Sequence, residues 1–268
     1  MTAAQYAAVA VALALAGVAA AASPAHAQLP TAAEDTTALR RGLAAEPVRF
    51  SPGIIAADTG TALGAGVAWA GYDGATRTPL IGASAEVRLG SRIVIGAGAT
   101  YAARDASEPA AVRPSALARI QLLDQPSHGL DLALAAAYRQ DRFVSEDGLF
   151  QATVALGVHG DAGAVLVNLG YGQDGEGDDH LGDARVVAFR HLIGRLHVGL
   201  DGHVQWLFDS SDPNRGQHDT PSLELTVAPA MSYGVGPVTL TFEVGWSGVE
   251  RDVFQGGVIA LGGVGTAF

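Results

Sequence analysis

From residue 62 onward, apolar and polar residues alternate with a period of two. The segment 81–89 is the clearest case. Ile81, Ala83, Ala85, Val87 and Leu89 lie on one face, and Gly82, Ser84, Glu86 and Arg88 on the other. Such alternation marks a β-strand with one apolar and one polar side. The next segment repeats it, with Ile93, Ile95, Ala97, Ala99 and Tyr101 opposite Arg92, Gly96, Gly98 and Thr100. Gly90-Ser91 between them reads as a tight hairpin. The pattern predicts strands at 62–71, 80–89, 92–102, 115–123, 130–139, 149–159, 164–172, 183–193, 196–208, 222–233, 238–247 and 257–268.

The connections between these segments alternate in length. Short ones fall at 90–91, 124–129, 160–163, 194–195 and 234–237. Long ones fall at 72–79, 103–114, 140–148, 173–182, 209–221 and 248–256. Short turns at one end and longer loops at the other belong to a transmembrane antiparallel up-and-down β-barrel. An even number of strands puts both termini on the short-turn side, the periplasmic one. A soluble β-sandwich also has alternating strands, but nothing requires its loops to alternate in length. The aromatics agree with the barrel. Trp69, Tyr101, Tyr138, Tyr171, Trp206, Phe208 and Trp246 fall at the ends of odd-numbered strands, and Phe150 opens the sixth. All lie on the long-loop side, where an interfacial girdle belongs.

The first 60 residues differ. Tyr6 to Ala22 is an apolar run followed by Ala25-His26-Ala27. That arrangement predicts a signal peptide over residues 1–27, cleaved before Gln28. Met1 to Gln5 lack the usual Lys or Arg. Residues 28–60 read as a periplasmic segment with a possible short helix around Leu39 to Leu43, able to enter a lumen as a plug or to stay outside it. Residues 61–268 form the barrel domain.

Composition narrows the function. The chain has no cysteine, which removes thiolate metal sites, disulfides and cysteine nucleophiles. Its formal net charge of -11 argues against nucleic-acid binding. No cofactor is implied. Many residues on the polar row are small, among them Gly64, Gly66, Gly82, Gly96, Gly98, Ala133, Gly170 and Gly245. They favour open space inside the barrel. The same row carries charges of both signs. Glu86, Asp131, Asp201, Glu224 and Glu243 stand with Arg88, Arg92, Arg119, Arg139 and Arg185 as candidate lumen-lining groups, joined by His197 and His203. Rings of mixed charge can select small polar solutes, or they can pair across strands and hold the wall. His191, His197, His203 and Asp201 could form a metal or general-base cluster, but a hydrogen-bonded wall network is the simpler expectation, and no catalytic residue is assigned. The acidic stretch 174–180 suits Ca²⁺ only loosely, lacking the spacing of an EF-hand.

The chain ends at Phe268, with Thr266, Val264, Gly262, Ala260 and Val258 on its face. Here the sequence resembles Gram-negative outer-membrane barrels, including porin-like and transporter-type ones, over residues 62–268. That resemblance implies that Phe268 is an assembly signal read by the barrel-assembly machinery, with outer-membrane lipid and lipopolysaccharide around the wall. The resulting expectation is a passive or weakly selective channel for small polar solutes, not an enzyme. A structural or surface-interaction barrel with a closed lumen is the alternative, and a lipid- or lipopolysaccharide-modifying enzyme a more distant one.

Overall fold

The computed structural model describes residues 62–72, 78–102, 111–140, 148–160, 162–175, 179–210, 223–250 and 254–267. The expected signal peptide, the segment 28–60 and Phe268 lie outside the described residues. The chain forms β1 (Ala62–Tyr72), β2 (Thr78–Leu89), β3 (Ile93–Ala102), β4 (Ala111–Leu123), β5 (Asp131–Arg139) and β6 (Leu149–Gly160). It continues with β7 (Gly163–Asp174), β8 (Asp179–Ile193), β9 (Leu196–Ser210), β10 (Leu223–Val235), β11 (Val238–Glu250) and β12 (Phe254–Ala267). A one-turn helix, α1 (Gln125–His128), sits in the β4–β5 turn. Each strand pairs antiparallel with its sequence neighbours, and β1 closes on β12 to complete the barrel.

All twelve expected strands are present. Several run further toward the long loops than their alternation does. β4 begins at Ala111 rather than 115, and β8 at Asp179 rather than 183. In β4 Pro114 interrupts the pattern, and in β8 the apolar Leu181 points inward with His180 and Gly182 on the other row, so the backbone ladder continues where the period-two signal is broken. Pro229 sits inside β10, and the β10–β11 pairing lapses between Val227 and Ala230. A proline has no N–H to donate to a ladder.

The alternation sorts the two walls as expected. Leu63, Val67, Ile81, Ile95, Leu134, Leu240, Phe242 and Val264 are exposed on the outside. In water so much exposed apolar surface would be costly; against lipid it is the expected wall. Outer aromatics cover glycines on neighbouring strands. A Cβ on Gly182 or Gly256 would collide with the rings of Trp206 or Trp246 respectively. At the opposite end, the β4–β5 turn is tied by hydrogen bonds. Ser127 Oγ donates to Asp124 Oδ2 at 2.7 Å, and this bond holds the Asp124 carboxyl below its ordinary range.

Candidate functional site: the barrel interior

The inward row is crowded with polar groups that bond to one another. Glu86 on β2 and Arg119 on β4 meet at 3.0 Å across the intervening β3. They can do so because β3 offers Gly96 there, and a Cβ at that position would stand 3.1 Å from Glu86 Cγ. On β8 and β9 the contacts run diagonally. Arg185 grips both carboxylate oxygens of Asp201, and Asp183 meets His203 Nε2 at 2.6 Å. Asp131 accepts from the backbone N–H of Gln125 at 2.7 Å, with His159 Nε2 at 3.7 Å. Removing one member of such a buried pair strands the other, typically at a cost of about 3–5 kcal/mol.

One bond differs in reach. Arg139 on β5 donates to Gln205 Oε1 on β9 at 2.9 Å. Both side chains point inward and three strands separate them, so the bond crosses the lumen as a chord. It lies toward the long-loop end. Nearby, Leu149 and Leu181 pack together with Leu207 against them. Nearer the other end, Leu166, Val187, Phe189 and Ala230 form a second inward apolar cluster. The arc from β6 to β8 is therefore packed with apolar side chains toward both ends. The arc from β12 through β3 differs, with Gly263, Gly265, Gly64, Gly66, Gly82, Gly96 and Gly98 on its inward row. These small residues thin the inner wall along that arc, between the inward side chains of Ile259, Leu261, Glu86 and Val94.

Most of the expected lining residues are buried inside: Glu86, Arg119, Asp131, Arg139, Arg185, His197, Asp201, His203, Glu224 and Glu243. Arg88 and Arg92 are not. Both are exposed at the β2–β3 turn, where Arg88 Nε and Nη2 donate to the carbonyls of Gly90 and Ser91 at 3.0 Å each. The alternation gave Arg88 the inward parity, but the strand ends there and the long side chain folds onto its own turn. The four-residue histidine cluster is not assembled as one site. His203 is with Asp183 and Asp201 with Arg185, while the His191 and His197 rings stand 5.4 Å apart at a tilt. Among the described residues no group of His, Cys, Asp and Glu is arranged to hold a metal ion.

Of the expected girdle, Tyr101, Phe150, Tyr171 and Trp246 are exposed, and Tyr138 and Trp206 are half-buried. Trp69 and Phe208 lie in β1 and β9, with side chains outside the described set. Tyr138 and Phe150 pack at 5.1 Å between ring centres. Tyr171 lies 2.6 Å from His180 Nδ1 and stacks on that ring. The inward apolar residues Val94, Leu149, Leu166, Leu181, Ile259 and Leu261 were not picked out from the sequence, although each holds an inward parity. Asp183 was missed for another reason: it opens its expected strand, where the alternation is weakest.

A closed twelve-stranded wall, apolar outside and polar inside, defines an outer-membrane β-barrel. Comparison with known proteins agrees at the level of fold. The structure of the NanC porin superposes with a TM-score of 0.54 at 9% identity, covering 77% of this chain and 100% of that one. The KdgM porin follows with a TM-score of 0.49 at 10% identity, covering 76% of this chain and 99% of that one. LpxR from Salmonella typhimurium gives a TM-score of 0.47 at 9% identity, covering 77% and 100%. No family model matches the chain, and no curated protein does.

Proposed function

We propose that this barrel is a passive, weakly selective channel for small polar solutes. On this reading it spans the outer membrane of a Gram-negative bacterium with both termini periplasmic, after removal of residues 1–27. The observation that carries the reading is the division of the interior. One arc, from β12 through β3, carries Gly263, Gly265, Gly64, Gly66, Gly82, Ser84, Gly96 and Gly98 on its inward row, so the wall between the inward Ile259, Leu261, Glu86 and Val94 is thin there and leaves room for hydrated solutes. A hydrated path beside fixed charges is what solute selection in a pore requires.

The test is conductance of the refolded protein in a planar lipid bilayer. Stepwise current increments are expected from protein whose gel migration shifts on boiling, the mark of a folded barrel. Folded protein that gives no steps would overturn the channel reading. That outcome would favour the closed-lumen structural barrel, for which the Arg139–Gln205 chord and the packed leucines around it are the supporting features.

A further inference from the structure

We propose that the lumen selects cations, and that small solutes bearing an ammonium group pass in preference to anions of equal size. The proposal rests on the channel reading above and names the solute class. Two independent observations carry it.

The first is the charge of the lining. Eight buried carboxylates face three buried guanidiniums among the described residues. Glu86 and Asp201 are matched by Arg119 and Arg185. Asp131, Asp174, Asp179, Asp183, Glu224 and Glu243 add six more carboxylates against Arg139 alone. Even with His197 and His203 both protonated, the buried lining stays net negative. Arg88 at the turn and Arg113 near the start of β4 are too few to reverse the sign. Low-dielectric walls focus such a field, and a cleft of one sign raises the local counter-ion concentration about tenfold or more.

The second is a set of buried polar atoms with no protein hydrogen-bond partner. Gln151 Oε1 and Thr153 Oγ1 on β6 have none, although both residues are only 4% exposed. Both side chains lie over Gly170 of β7, Gln151 approaching through its Nε2, with Asp183 of β8 beside them. A Cβ on Gly170 would lie 2.5 Å from Gln151 Nε2, 3.3 Å from Asp183 Cβ and 3.4 Å from Thr153 Oγ1. Gln121 Oε1 is likewise unpaired, close to Asp131. Oxygens of this kind accept hydrogen bonds, and beside a carboxylate they fit a cationic N–H donor. Among the described residues, Arg119 Nε and Nη1 and Gln205 Nε2 are buried donors without a partner. Arg119 already faces Glu86, and Gln205 is the register partner of Glu224, so neither makes an anion site.

The experiment uses the refolded chain in planar bilayers under a KCl gradient, then with methylammonium replacing potassium. The reversal potential should have the sign of cation flow, with a potassium-to-chloride permeability ratio above about five. Methylammonium should carry current in place of potassium. The ratio should fall as KCl is raised from about 0.1 to 1 M, because the screening length shrinks from about 10 to 3 Å. The Glu224→Gln, Glu243→Gln double variant should lower the ratio at least twofold. If that variant does not refold, the wild-type ratio and its salt dependence decide alone. A conducting channel with a ratio near or below one overturns this inference and leaves the channel reading intact. A folded barrel without current overturns both.

Discussion

Gly194 adopts φ 58° in the two-residue turn between β8 and β9, and nothing lies within 4 Å of where its Cβ would be. Backbone conformation, not space, is what selects glycine there, since a Cβ in the left-handed region costs about 1–2 kcal/mol. Gly194→Ala should therefore destabilise the barrel by about 1 kcal/mol, read as a lower urea midpoint for unfolding from lipid bilayers. Gly194→Asn should cost less, because asparagine tolerates that region. Equal losses for both variants would show that the turn conformation is not the cause. Gly199 is the opposite case. The backbone carbonyl of Ala188 would collide with a Cβ there and Phe189 Cδ1 would stand 2.9 Å from it, so the neighbouring strand and its ring occupy the place a side chain would need. The hairpin glycine was legible because its neighbours alternate. Gly199 was legible only as a small inward residue, since nothing in the sequence announces the ring that fills the space.

At the scale of the strand, the outer row does the work of staying in lipid. On β11, Leu240, Phe242 and Val244 are exposed between inward Thr241 and Glu243. Val244 lies near the middle of its strand. Val244→Arg should cost about 2–4 kcal/mol, as a cation facing the bilayer midplane does, whereas the same change at Tyr233, near the turn, should cost about 1 or less. Refolding yields and unfolding midpoints in lipid vesicles would measure the contrast, and equal costs would mean that Val244 does not face lipid. Strand identity and facing were readable because period two persists wherever one side touches lipid. Strand ends were less so. The ladders begin early, at Ala111 and Asp179, where Pro114 in one strand and the inward Leu181 in the other break the periodic trace while backbone hydrogen bonding continues.

For the whole molecule, the decisive contacts are those between strands far apart in sequence. The Arg139–Gln205 bond joins residues 66 positions apart. Parity told which way each side chain points, but not which groups meet across the interior. That depends on the stagger of the closed ring and on small residues such as Gly96 that let side chains pass over a strand. The same gap explains why the sequence suggested open space all round, whereas Leu149 and Leu181 at one end and Phe189 at the other take up part of it. If the chord narrows the path, Arg139→Ala should raise single-channel conductance about twofold while the protein keeps its heat-shifted migration. Unchanged conductance would place the narrowest point elsewhere.

The junction of β1 with β12 pairs eleven residues, Ala62↔Ala267 through Tyr72↔Gly257. On its inner side Gly64 stands opposite Gly265, and Gly66 opposite Gly263. Over the half nearest the termini the first and last strands therefore meet without interlocking side chains inside, whereas further along Leu261 and Ile259 stand on the inner face opposite Ala68 and Ala70. Their union is a zipper of main-chain groups, whose alignment is set by outward residues such as Leu63 and Val67. Near the termini the closing seam is thus only as thick as its backbone, and it can pair there without any inward side chain having to be seated first.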